Sequence, residues 1–116
     1  MSGLDPMIHP PARLSICALL AAGADWVEFR VVRDVVGVSD SVLSKHSRAL
    51  EDAGYLEVRK GAVGRRPRTW FRLTPAGARA FADHLAALQD LAHTASRAAA
   101  ERAAGQGPAI AYPIRQ

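Results

Sequence analysis

Residues 37–73 read GVSDSVLSKHSRALEDAGYLEVRKGAVGRRPRTWFRL, a helix-patterned segment followed by two strand-like runs around a stretch rich in glycine and arginine. Ser39 predicts the start of the helix, because its side-chain oxygen can accept a free backbone N–H group. Gly54 predicts the end, since glycine readily takes the left-handed conformation that closes a helix. The strand-like runs begin at Tyr55 and Thr69. The order is therefore helix, strand, basic turn region, strand.

The two faces of this helix differ in character. Apolar residues at intervals of three and four predict a face that packs on a core, formed by Val42, Leu43, Ala49, Leu50 and Ala53. The other face carries hydroxyl groups and cations, from Ser41, Ser44, Lys45 and Arg48. Such a face suits a DNA major groove, where arginine or lysine reads guanine and serine reaches phosphate or base edges. The helix alone leaves an ordinary solvated face as the alternative.

The hairpin region is strongly basic. From residue 59 to residue 72 there are six cations and no acid: Arg59, Lys60, Arg65, Arg66, Arg68 and Arg72. Gly61 and Gly64 allow a bend and Pro67 stiffens the returning arm, so residues 61–68 are predicted to form a flexible loop. Clustered cations of this kind can follow a phosphate backbone or enter a minor groove. The net charge of +4 and the sequence pI near 10.0 also favour a polyanionic partner.

Two segments are similar to motifs of a known protein family, SDSVLSKHSRALEDAGYLEV and GAVGRRPRTWFRLTPAGARAF. The resemblance extends over residues 9–90. They resemble winged-helix transcriptional regulators of the MarR/ArsR-like superfamily, most closely the small single-domain group of actinobacterial type. The resemblance implies a mainly α fold with a small β-hairpin (α+β), a winged helix-turn-helix. It implies groove contacts by the polar face of the helix and wing-tip contacts by Arg65, Arg66 and Arg68. Their place among the hairpin cations makes Arg59 and Lys60 further candidate wing residues.

One position departs from the family pattern. Ser47 stands where these regulators usually have an apolar residue, so the face of the helix that packs on the core has one apolar side chain fewer here. Either the Ser47 hydroxyl bonds back to a carbonyl one turn earlier, or a neighbouring side chain fills the gap.

The 116 residues leave room for one domain. Residues 1–9 are expected to be a flexible N-terminal arm, residues 10–90 the DNA-binding domain, and residues 105–116 a tail without regular structure. A first helix is predicted from Pro11 to Gly23 and a second from Glu28 to Val36, with Trp26 between them in the core. Thr74 is expected to cap a long last helix that spans residues 74–104.

That helix of about 30 residues is longer than a small domain requires. A heptad-like apolar stripe runs along it, through Phe81, Leu85, Leu88, Ala92, Ala95 and Ala99. Packing on the core accounts for Phe81 and Leu85. The part of the stripe beyond Leu85 predicts a dimer interface, to which Leu14 and Ala18 of the apolar first helix would contribute. The alternative is that this part of the helix is frayed and exposed to solvent.

The sequence gives only weak indications of a metal site, a redox switch, RNA binding or catalysis. His84 and His93 are nine residues apart and fall on opposite sides of one helix, and His46 is expected to be half buried and bonded to a backbone carbonyl. No metal site, cofactor or catalytic constellation is predicted. Cys17 is expected to be core, with oxidant sensing left open. The GAVG segment matches the GxxG loop of RNA-binding domains, but the flanking strands disfavour that reading.

These features predict a homodimeric, sequence-specific regulator of transcription that binds double-stranded DNA, of the repressor type, and not an enzyme. The alternative is a winged-helix module that binds a protein, or that binds nucleic acid without sequence preference. The lone cysteine and the lack of a signal-like or membrane-spanning run predict a cytoplasmic protein with no membrane partner. The sequence does not indicate which operator is bound, and it leaves open whether a small-molecule effector exists.

Overall fold

A computed structural model describes residues 3–23 and 25–106. It has the predicted α+β winged-helix architecture, with a helix-turn-helix, a hairpin and a long last helix. The elements in chain order are α1 (Pro11–Ala22), β1 (Val27–Glu28), α2 (Phe29–Val36), α3 (Asp40–Asp52), β2 (Leu56–Val63), β3 (Arg66–Leu73) and α4 (Pro75–Gln106).

Both predicted ends of α3 are confirmed. The backbone N–H of Val42 donates to Ser39 Oγ over 3.2 Å, which caps the start of the helix. Gly54 takes a left-handed φ of 82° just beyond the helix, and the N–H of Tyr55 then reaches the carbonyl of Leu50 over 2.9 Å. A second left-handed glycine, Gly37, ends α2 and makes the tight turn into α3.

The core lies where α1, α2 and α3 meet the three-stranded antiparallel sheet. Its buried members are Ile8, Ile16, Cys17, Leu20, Val32, Leu43, Leu50, Leu56 and Phe71. Ser47 is also buried, and its hydroxyl donates to the carbonyl of Ser44 over 3.1 Å, which is the first of the two arrangements expected for it. Val42 and Ala53 were predicted to belong to the apolar face of α3, and this prediction is wrong, since both are exposed. Only a narrow stripe of α3 meets the core.

The hairpin is longer and its turn much shorter than predicted. The pairing of β2 with β3 continues to Val63 and Arg66, so the turn contains only Gly64, with φ of 64°, and Arg65. The prediction of a flexible loop over residues 61–68 is therefore wrong. Gly61 lies within the paired region, where the Trp70 ring lies so near that a Cβ at Gly61 would be 3.2 Å from it. The wing is a paired ribbon, and β1 pairs with the other side of β3.

The prediction of a flexible N-terminal arm is wrong for residues 3–9, which pack against the domain. Ile8 is fully buried. The Asp5 carboxylate accepts a hydrogen bond from the Tyr55 hydroxyl, and the Asp5 backbone N–H donates to His84 Nδ1 over 2.9 Å. His84 is fully buried, and its other ring nitrogen lies 3.2 Å from His9 Nδ1. The segment thus ties the end of α3 to α4.

The last helix begins as predicted. Thr74 Oγ1 accepts the N–H of Gly77 over 2.9 Å and donates to the carbonyl of Gly54 over 2.7 Å. The expectation that Leu85 is core is wrong: it is 42 % exposed, because His84 and Ala87 occupy the side of α4 that faces the domain. Among residues 3–23 and 25–106, none of the helices combines the length and the apolar character that a membrane span needs. Of the expected tail, residues 107–116 lie outside the described residues.

The far half of α4 projects from the domain. Residues 89–105 are exposed throughout. The radius of gyration is 20.7 Å and the longest dimension 74 Å, whereas a compact chain of this length would have a radius of gyration of about 13 Å.

Candidate nucleic-acid interface

The polar face of α3 is exposed as the sequence predicted. Leu43, Ser47 and Leu50 point to the core, and the opposite side presents four exposed side chains, Ser41, Ser44, Lys45 and Arg48. Within the described residues, neither cation has an acidic partner. Arg33 of α2 donates to Asp40 at the start of α3 over 2.9 Å, which helps fix the angle between the two helices. The structure therefore brings the predicted groove residues together on one rigid surface.

The strand pairing divides the wing cations between two faces. Successive residues of a strand point to opposite sides of a sheet. Lys60 pairs with Thr69, and both line an open cleft of about 180 Å³ that also borders Ser44 and Arg48 of α3. Arg59, one residue earlier, pairs with Trp70 and therefore lies on the outer face. Only Lys60 among the paired cations shares a side with the exposed face of α3.

The outer face at the root of the wing holds a stacked cluster. The guanidinium carbons of Arg59 and Arg72 each lie 4.4 Å from the centre of the Trp26 ring. Arg72 also forms ion pairs of 3.0 Å with Asp25 and Glu57, and these carboxylates raise its pKa. The prediction that Trp26 lies in the core is wrong, because the two arginines cover it at the surface instead. This cluster stiffens the hairpin where it leaves the domain.

The tip of the wing carries two of the three predicted arginines. Arg65 occupies the turn and Arg66 starts the returning strand, and both are exposed. Arg68 is not at the tip: it forms a 3.0 Å ion pair with Glu28 of β1, and its side chain is only 19 % exposed. The pairing of β1 with β3 brings that acid next to it. Of the wing cations, Lys60 is thus the one on the α3 side, with Arg65 in the turn, while Arg66 pairs with Val63 and points to the outer face.

The remaining candidate residues have structural partners. His46 is half buried, but its Nδ1 accepts from Arg13 over 3.2 Å, so the expected bond to a carbonyl is wrong. Burial, followed by the charges of Arg13 and Lys45, lowers the pKa of His46. Burial raises the pKa of Cys17 to about 11, which keeps the thiol protonated at neutral pH and fits the core assignment. No cluster of three metal-binding side chains occurs in the described part of the chain.

A family model for the winged helix DNA-binding domain matches residues 12–92. A transcriptional regulator homologue from Pyrococcus horikoshii has 29 % sequence identity over 72 % of this chain and 85 % of its own, with a TM-score of 0.61. A homodimeric winged helix-turn-helix DNA-binding domain from Mycobacterium bovis, a possible ArsR-family regulator, is 27 % identical over 75 % of this chain and 77 % of its own, with a TM-score of 0.60.

A MarR-family regulator from Enterococcus faecalis shares the fold, with a TM-score of 0.63 at 24 % identity over 82 % of this chain and 84 % of its own. The predicted winged-helix family is confirmed. The likeness to the MarR-family protein is one of fold, and the narrower actinobacterial type stays a prediction. Together with the exposed basic face of α3 and the wing beside it, these matches place the chain in the winged helix DNA-binding domain family.

Proposed function

We propose that this protein is a sequence-specific transcriptional regulator that binds double-stranded DNA as a homodimer and acts as a repressor. The proposal rests on one observation: α3 and the wing both present cations on the same side of the domain. Arg48 on α3 and Lys60 on the wing line the same cleft, and Lys45 is exposed on the same face of α3, with Arg65 and Arg66 at the wing tip. A major groove about 12 Å wide accepts a helix, and the wing would then follow the adjoining backbone.

The alternative is a module that binds a protein through this surface. Protein-binding surfaces are usually centred on buried aromatic or aliphatic anchors. The exposed side of α3 has one large apolar side chain, Val42, among serines and cations. The chemistry of the surface therefore favours the phosphates and base edges of DNA.

The homodimer is proposed from the exposed apolar side chains of α4. Leu85 is 42 % exposed and Leu91 is 56 % exposed, and alanines continue along the helix at Ala92 and Ala95. Ala18 of α1 is exposed as well, whereas Leu14 and Phe81 pack against the core of their own chain. The proposal requires the second copy on α4 to hold the two reading helices about 34 Å apart, the spacing of successive major grooves.

Substitution of single cations tests how the DNA contacts are divided. We expect Arg48→Ala to weaken binding to a selected operator by about 1–3 kcal/mol and to relax the preference at one base pair. Arg65→Ala or Arg66→Ala should weaken binding to every sequence and reduce the slope of log K against log salt by about one unit for each lost phosphate contact. Fluorescence anisotropy with operator and random duplexes over a range of salt concentrations measures both effects.

Arg102→Ala is the matched control, because it removes the same charge from an exposed position near the far end of α4. It should leave the operator affinity almost unchanged. Equal losses on operator and random DNA for Arg48→Ala would contradict the assignment of α3 to the groove.

A further inference from the structure

Val42 is a partly exposed apolar residue of α3 that is not among those packed against the core. It is 39 % exposed and is the one large apolar residue of α3 that is exposed to this degree. Leu43 and Leu50 on the core side of α3 are fully buried, whereas Ser41 before Val42 and Lys45 one turn later are exposed on the side assigned to DNA. The position thus interrupts an otherwise polar surface.

The side chain of Val42 also has few orientations open to it. Its backbone N–H donates to the capping Ser39 side chain, so the first turn of α3 is anchored there. A β-branched residue in a helix has one strongly preferred side-chain rotamer. A contact made by Val42 would therefore cost little conformational entropy, which suits a residue that recognises a bound group by its shape.

We propose that Val42 contacts the C5-methyl group of a thymine in each half-site and so selects thymine over cytosine at that position. This inference rests on the proposed function, because it requires α3 in the major groove. The methyl group of thymine is the apolar group that base pairs present in that groove, and valine offers two methyl groups to it. Lys45 and Arg48 can bond to guanine, but neither can recognise a methyl group. Val42 therefore supplies a specificity that the cations lack.

The test uses deoxyuridine, which differs from thymidine only by the missing methyl group. Operator duplexes recovered by selection would carry deoxyuridine in place of each thymine in turn, in both half-sites together. For the wild-type protein we expect one position at which the exchange weakens binding by about fourfold for each half-site, the change that corresponds to one methyl group. In the Val42→Ala protein the same exchange should have almost no effect, while binding to the thymine operator should already be weaker.

Two further variants separate this contact from general damage. Val42→Thr keeps one methyl group in a β-branched side chain and should retain part of the thymine preference. Val35→Ala makes the same kind of change at an exposed valine of α2, outside the face assigned to DNA, and should retain all of it. Circular dichroism of each variant would show that the helix content is unchanged.

The outcomes distinguish this inference from the proposed function. If selection yields a defined operator but Val42→Ala keeps the full penalty for every deoxyuridine exchange, the thymine contact is wrong and the DNA-binding function stands. An operator without thymine in its half-sites would also overturn the contact. If selection yields no preferred sequence, the proposed function fails and the contact fails with it.

Discussion

Leu88→Glu is expected to yield a monomer that keeps its fold and binds operator DNA weakly. Leu88 is half buried on α4, just where the helix leaves the core, and the exposed Leu85 and Leu91 lie one turn to either side. In a dimer built on this helix, each subunit would bury an added carboxylate near the two-fold axis, at a cost of several kcal/mol. Loss of the dimer would separate the two reading helices and remove the gain from binding two half-sites.

Sedimentation velocity at about 10 µM measures the oligomeric state, within the range in which a specific dimer is expected to form. Gln89→Glu is the matched control, because it adds the same charge at the next residue, which is exposed and lies off the apolar stripe. That variant should remain dimeric. A wild-type protein that sediments as a monomer, or a Leu88→Glu protein that stays fully dimeric, would refute the proposed interface.

Gly77→Ala is expected to lower the free energy of unfolding by about 3 kcal/mol, at the upper end of the usual cost of overpacking. Gly77 is buried at the start of α4, where a Cβ atom would lie 2.2 Å from the carbonyl oxygen of Tyr55. That oxygen belongs to the backbone and also accepts the N–H of Thr74 over 3.0 Å. It cannot move aside without breaking the junction that positions α4 against the end of α3.

The control for this substitution lies on the same helix. A Cβ atom at Gly105 would meet nothing within 4 Å, so Gly105→Ala should leave stability unchanged or raise it slightly, since alanine favours helix more than glycine does. Urea denaturation of both variants gives the comparison. Similar unfolding midpoints for the two proteins would show that α4 does not pack against Tyr55 as described.

The features that were predicted correctly depend on residues close together in the chain. Ser39 caps α3 through an N–H three residues away, and Thr74 caps α4 in the same way. Exposure of Lys45 and Arg48 follows from the helical period once Leu43 and Leu50 are placed in the core. Such signals can be read from a short window of sequence.

The errors concern contacts between distant residues. Asp5 meets Tyr55 and His84, which are 50 and 79 residues away, so the prolines around it wrongly suggested a loose arm. The pair between Arg68 and Glu28 depends on a two-residue strand that gives no periodic signal. The separation of Lys60 from Arg59, in contrast, could have been predicted from strand alternation if the full length of the hairpin had been recognised.

Genomic selection with the purified full chain tests most directly whether this winged helix reads DNA sequence as a dimer. Sheared genomic fragments bound at moderate salt would be sequenced and compared with the unbound pool. We expect one enriched palindromic motif with half-sites about 10 base pairs apart, the distance between successive major grooves on one side of the duplex. Fragments recovered in proportion to their length, with no enriched motif, would contradict it.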